Sequence, residues 1–307
     1  MKKFISIVLA LVIAFSFVNV AYASSDFKPY DDSQWFEYGD YDIHYRIAPS
    51  KTAFKGRILM LHGFLCSTYS WRNMTQELTQ AGYECVMVDL PDFGYSTRET
   101  EDTQIIPREE IIEALMQSIA PSEQWIVAGH SMGGGVAINI AIDLPVKALL
   151  LYCPCPQNTF PQALKGICTS KAMKTCMNFF FEYGTKITPL VRMIIFAATN
   201  DWDFAMSYDV SGVTAPVQYD GFGAGMCEMM YNVKPTDMAN VSKITCPVLI
   251  CQAQKDIILT DKIKTQVNDA FPDAEKYLVQ GGGHQCIENR AAELSKVTTD
   301  FLDANVK

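Results

Sequence analysis

Trp125-Ile126-Val127-Ala128-Gly129-His130-Ser131-Met132-Gly133-Gly134-Gly135-Val136-Ala137 reads as a short apolar strand, a turn too tight for side chains, and the opening of a helix that runs to about Asp143. The Gly129-to-Gly133 segment is a G-x-S-x-G motif in the strand–turn–helix context that its mechanics require. Gly129 and Gly133 let backbone pack on backbone, and the serine between them takes a strained conformation. Its Oγ then stands over the positive end of the following helix, where main-chain N–H groups favour developing negative charge. The pentapeptide occurs often by chance, and the competing reading is a glycine-rich turn whose serine merely caps the helix. The order of the remaining parts decides between the two.

Nucleophilic serine chemistry needs a base, and the chain has four histidines. His44 falls in an early hairpin, His62 is held in a His-Gly turn, and His130 adjoins the serine, so its side chain is expected to point away. His284 remains, in Gly281-Gly282-Gly283-His284 just after the last predicted strand, where three glycines let a loop carry an imidazole across the strand ends. The third member must accept a hydrogen bond from imidazole Nδ1. Asp256, just after the predicted strand Pro247 to Ala253, gives the chain order Ser, Asp, His. Asp261 is the fallback, although a helix-capping role suits it better. Two main-chain donors, the N–H groups of Phe64 and Met132, are expected to form the oxyanion hole.

Around these residues, apolar runs and helical patterns alternate. Phe36 to Arg46 reads as two strands about a Gly-Asp turn. Strands follow at Arg57 to Leu61, Glu84 to Asp89, the segment before Ser131, Ala148 to Tyr152, Pro247 to Ala253 and Lys276 to Val279. Helices are expected up to about Ala81 and at Arg108 to Ile119, Asp261 to Ala270 and Ala291 to Ala304. This rhythm predicts an α/β fold with a mostly parallel eight-stranded sheet and helices on both faces. It breaks at Cys153-Pro154-Cys155-Pro156 and returns at Cys246. The expected organisation is a core of residues 24–155 and 244–307, interrupted by a largely helical cap, residues 156–243.

His62-Gly63-Phe64, the stretch from Asp89 to Ser96, the Gly129-to-Gly133 turn, Asp256 and Gly283-His284 together resemble the α/β-hydrolase superfamily. Within it the chain is similar to the cap-bearing branch of carboxylesterases, monoglyceride-type lipases, carbon–carbon bond hydrolases and cofactor-free haloperoxidases. The likeness covers about residues 36 to 155 and 244 to 307. Asp92 departs from the pattern, which usually has glycine there. The resemblance implies that Ser131 attacks a carbonyl, that His284 takes and returns the proton, and that water releases an acyl-enzyme. It implies no metal and no organic cofactor. A serine in the turn, rather than an aspartate, argues against epoxide hydrolase or haloalkane dehalogenase chemistry. The expectation is a serine esterase for small to medium hydrophobic substrates. Carbon–carbon bond hydrolysis or perhydrolysis, and a non-catalytic binder of the same fold, are the alternatives.

The net charge of -9 argues against nucleic acid as partner, and oligomeric state leaves no signal. Lys2 and Lys3, an apolar run to about Val20 and Ala21-Tyr22-Ala23 read as a signal peptide, residues 1–23. Its cleavage after Ala23 predicts a secreted or periplasmic protein without a stable membrane anchor. Among ten cysteines, Cys168 and Cys176 are the best candidate for a disulfide, while Cys85, Cys153 and Cys251 read as small core hydrophobes. The cap carries Phe179, Phe180, Phe181, Trp202, Phe204 and Phe222 with Met173, Met177, Met226, Met229 and Met230. These are read chiefly as the cap's own core, and only weakly as the lining of an apolar pocket.

Overall fold

A computed structural model describes residues 27–219 and 221–306. Two units are distinguished, Met1–Asp31 and Asp32–Lys307; the fold set out here is that of the second. The predicted leader, residues 1–23, lies outside the described residues.

Ser33–Tyr38 (β1) and Tyr41–Ala48 (β2) pair antiparallel about Gly39-Asp40, where Gly39 takes φ +59°. Gly56–Leu61 (β3), Tyr83–Val88 (β4), Ile126–His130 (β5), Ala148–Tyr152 (β6), Val248–Ala253 (β7) and Glu275–Val279 (β8) complete the sheet. Its order is β1-β2-β4-β3-β5-β6-β7-β8, antiparallel up to the β2–β4 pairing and parallel beyond it. β5 and β6 are buried along their whole length, which is why both read as unbroken apolar runs.

Successive residues of β3 feed opposite faces of the sheet, as the two-residue strand period requires. Leu59 and Leu61 join a cluster with Ile111 and Leu115 of Arg108–Ile119 (α2) and with Val136 and Ile140 of Met132–Asp143 (α3). Ile58 and Met60 join another with Met74 and Leu78 of Arg72–Gln80 (α1) and, from the far end of the chain, Leu294 and Phe301. Helices therefore cover both faces. The observed bounds of α2 and β6 coincide with those expected.

Between β6 and β7 the described residues form helices and no strand: Lys165–Cys168 (α4), Lys171–Gly184 (α5), Thr188–Thr199 (α6), Trp202–Ser207 (α7), Ser211–Gln218 (α8) and Phe222–Asn232 (α9). Asp261–Ala270 (α10), Cys286–Asn289 (α11) and Ala291–Asn305 (α12) follow. The reading of the cap aromatics as chiefly the cap's own core is corrected. Phe222, Met226 and Met229 of α9 are buried in the main core, whereas Phe179, Phe180 and Trp202 are more than half exposed. α5 buries no residue fully, and the cap's separate cluster is small: Val191, Ile195, Ala205 and Tyr208. The apolar faces of α5 and α6 exceed what the neighbouring elements cover.

All ten cysteines are free thiols, so the Cys168–Cys176 bridge is absent; Cys176 faces solvent from α5. No helix among the described residues is long and apolar enough to cross a membrane.

Candidate active site

β5 ends at His130, and Ser131 follows at φ +51°, ψ −117° before α3 begins. The glycines around it are needed for space. A Cβ on Gly129 would lie 2.4 Å from the carbonyl oxygen of Gly133, and one on Gly133 would lie 2.3 Å from that of Leu61. The serine's own backbone is held at both ends: its N–H donates to the Tyr152 carbonyl at 3.0 Å, and its carbonyl accepts from Gly134 and Cys155 at 2.9 Å. A φ this far into the left-handed region costs energy for a non-glycine residue, and such strain gathers at functional turns.

The three side chains named from the sequence lie in one hydrogen-bonded chain. Ser131 Oγ is 2.8 Å from His284 Nε2, and His284 Nδ1 is 2.8 Å from Asp256 Oδ2. A carboxylate beside Nδ1 selects the tautomer in which Nδ1–H donates to Asp256, leaving the Nε2 lone pair for the serine hydroxyl. Asp256 Oδ1 accepts the main-chain N–H groups of Ile258 and Leu259 at 2.8 and 2.9 Å. Burial opposes its charge, but His284 and these two amides prevail, and the carboxyl titrates below its usual range. Asp261 is the first residue of α10, whose N-cap is Thr260, and takes no part.

The main-chain N–H groups of Phe64 and Met132 make no hydrogen bond among the described residues. The Phe64 loop is pinned through His62, whose Nε2 accepts the Leu90 N–H at 3.0 Å and whose Nδ1–H donates to the Gly63 carbonyl at 2.7 Å. Burial lowers the pKa of this imidazole, keeping it neutral. Gly63 is also needed for space, since a Cβ there would lie 2.7 Å from His130 Nδ1.

His130 itself is a positioning residue that sequence reasoning passed over. Its ring lies 5.0 Å from that of His284, and its Nε2–H donates to the His284 carbonyl at 2.9 Å. Burial, then the proximity of His284, pushes its pKa down to about 3. No sequence spacing announces this contact. The loop that bears His284 is held from the cap as well: Gly283 N–H and Gln285 N–H donate to the carbonyls of Thr199 and Ala198, at the end of α6.

Asp92 explains its own departure from glycine. It sits at φ +72°, a conformation glycine adopts freely and aspartate tolerates. Its buried carboxylate accepts the Glu99 N–H at 2.7 Å and an Arg108 Nη2–H at 3.2 Å. Burial and the charge of Glu99 push its pKa up to about 7.

A cavity of about 370 Å³ opens over Ser131 and His284, a size that suits a small ligand. Phe180, Phe181, Leu190, Ile194 and Val217 from the cap make its walls apolar, with Ile258 from the Asp256 loop. One corner is polar: Glu288 accepts from Tyr208 OH at 2.7 Å, from Gln285 Nε2 at 2.9 Å and from Arg72. These residues come from three separate parts of the chain, so no sequence motif could have grouped them. A larger hollow of about 470 Å³, lined by residues 141–147 among others, contains none of the three side chains.

A family model described as the alpha/beta hydrolase fold matches residues 56–167. The chain has the α/β-hydrolase fold. It is 24% identical over 280 residues to a monoacylglycerol lipase of Xenopus laevis, covering 87% of this chain and 81% of the relative. It is 23% identical over 286 residues to a 2-hydroxy-6-oxononadienedioate/2-hydroxy-6-oxononatrienedioate hydrolase of Cupriavidus pinatubonensis, covering 86% and 92%. Among solved structures it is similar to an enol-lactonase from Burkholderia xenovorans, with a TM-score of 0.70, 14% identity, and coverage of 88% and 100%. These relatives bear names for different reactions, so the superfamily names a hydrolase and leaves the bond to the site.

Proposed function

We propose that this hydrolase is an exported serine esterase that cleaves carboxylic esters of small to medium hydrophobic substrates. One observation carries the reading: the Ser131–His284–Asp256 chain opens into an apolar cavity beside two uncommitted main-chain N–H groups. Ser131 Oγ attacks the ester carbonyl while His284 Nε2 takes its proton, and Asp256 stabilises the imidazolium that results. The oxyanion draws on the N–H groups of Phe64 and Met132. His284 returns the proton to the departing alcohol, and water, activated by the same imidazole, releases the acid from Ser131.

The apolar walls support a hydrophobic substrate, as does the surface around them. Phe180, Leu190, Ile194 and Ile258 both line the cavity and are strongly exposed, so its mouth opens onto apolar surface. Export rests on the sequence pattern of residues 1–23, as does the absence of a stable membrane anchor after cleavage.

The test is a series of p-nitrophenyl esters of increasing acyl length, assayed with the wild type and Ser131→Ala. Turnover that peaks at short to medium acyl chains and disappears in the variant is expected. Fluorophosphonate labelling of Ser131 without turnover of any ester would move the assignment to carbon–carbon bond hydrolysis or perhydrolysis. No labelling at all would leave a binding protein.

A further inference from the structure

Behind the hydrogen-bonded chain lies a thiol that ester hydrolysis does not use. Cys153, fully buried just after β6, takes φ +44°. Its Sγ and donor atoms of Asp256 and His284 all lie within 4.8 Å of one another. The side chain of Asp256 is inaccessible and that of His284 nearly so. A second buried thiol, Cys286, has its Sγ 3.8 Å from that of Cys153. Ligands of tetrahedral zinc, at about 2.0–2.3 Å from the metal, stand roughly 3.3–3.8 Å apart. The three donors need only small shifts to reach that spacing, and two thiolates on one zinc would stand as far apart as these two sulfurs.

We propose that Cys153, Asp256 and His284 form an inhibitory site for a thiophilic divalent cation of the zinc type, with Cys286 as the neighbouring thiol. The inhibitory part rests on the serine-hydrolase reading. The metal binds His284 through Nδ1, whose lone pair is free only in the tautomer protonated at Nε2. Cys153 gives up its thiol proton to solvent, and Asp256 exchanges its hydrogen bond from Nδ1–H for a metal bond. One proton is released and nothing is oxidised. Nε2 now carries hydrogen, so it can donate towards Ser131 but cannot accept its proton. The base is switched off while the serine and the pocket stay as they were.

This choice of donors also explains the class of metal. Thiolate and imidazole together favour zinc, cadmium or cobalt over magnesium or calcium, which take oxygen ligands.

The experiment titrates the reduced full-length chain with Zn²⁺, and in parallel with Co²⁺. Zinc is expected to abolish p-nitrophenyl ester turnover, EDTA to restore it, and cobalt to give a near-ultraviolet thiolate-to-metal charge-transfer band. Cys153→Ala should keep its metal-free turnover, lose the cobalt band, and require roughly tenfold or more additional zinc for inhibition. Cys153→Ser serves as the near-isosteric control if the alanine variant folds poorly. Inhibition undiminished in a folded Cys153 variant, or a wild type that gives no cobalt band, overturns the site. Ser131→Ala should keep the band, so metal binding is read without turnover. A chain that binds cobalt through Cys153 yet hydrolyses no ester would retain the metal site and lose the esterase reading.

Discussion

Among the described residues the molecule holds two Ser–His–Asp chains of almost equal geometry. In one, Ser131 Oγ, His284 and Asp256 are joined at 2.8 and 2.8 Å; in the other, Ser33 Oγ, His44 and Asp89 are joined at 2.8 and 2.7 Å. Their settings are opposed. Ser33 lies in an extended edge strand, and the side chains of His44 and Asp89 are wholly inaccessible. Asp89 also accepts the N–H groups of Thr68 and Tyr95, tying β2 and β4 to the loops beside them. Burial opposes its charge, yet His44 and its other donors hold the carboxyl below its usual range. Ser131, by contrast, stands at a strained turn before a helix, beneath a cavity. A serine–histidine–aspartate relay is therefore a common solution to burying polar groups. It becomes a site when a hollow and unpaired amides adjoin the serine.

The largest expected contrast is between the two serines. Ser131→Ala should lower ester turnover by about 10⁴-fold or more, whereas Ser33→Ala should leave turnover per folded molecule intact and cost about 1–3 kcal/mol of stability. Equal losses of turnover in both variants would erase the distinction. The aspartates should separate in the same direction. Asp256→Asn is expected to reduce kcat by up to about 10⁴-fold, through the wrong imidazole tautomer. Asp89→Asn should instead lower the unfolding free energy by about 3–5 kcal/mol, by leaving a buried partner uncompensated. Denaturant unfolding beside steady-state kinetics checks both.

A smaller effect is expected at His130, whose side chain holds the His284 carbonyl, whereas the His44 carbonyl is held at 2.9 Å by the main-chain N–H of Asp89. His130→Phe should reduce kcat by about 10–100-fold with KM little changed. A loss confined to KM would mean that the ring acts only as a pocket wall. The smallest effect concerns Asp92. With its folded pKa raised to about 7, the native state keeps a proton that the unfolded chain releases near pH 4. Stability attributable to this group therefore falls as pH rises through that window. Relative to wild type, Asp92→Asn should gain about 1–3 kcal/mol between pH 5 and pH 8. Parallel stability curves for the two proteins would exclude a proton held on Asp92.

Much of this could be read from the residues alone, for identifiable reasons. α2, β6 and α10 begin and end where Arg108, Ala148 and Asp261 suggested, because proline, glycine or a capping residue punctuates each. Ser131, Asp256 and His284 were legible because each follows a strand in an ordered motif. The polar corner of Arg72, Tyr208, Gln285 and Glu288 was not, since its members meet only through tertiary packing. Nor was the exposure of Phe179 and Phe180. Periodicity finds the apolar side of a helix, but not what lies against it. The relay at His44 was missed for a third reason: Ser33, His44 and Asp89 match no catalytic pattern, and only coordinates bring them together.

The two main-chain bonds from Gly283 and Gln285 to the end of α6 bear on how substrate gets in. A roof that swung away as one body would drag its tethered imidazole along, uncoupling the proton acceptor from Ser131 whenever the door stood open. Admission must therefore come from bending nearer α5 and α8, with the stretch around Ala198 and Thr199 acting as a fixed post, or else each opening interrupts the chemistry until the roof settles again.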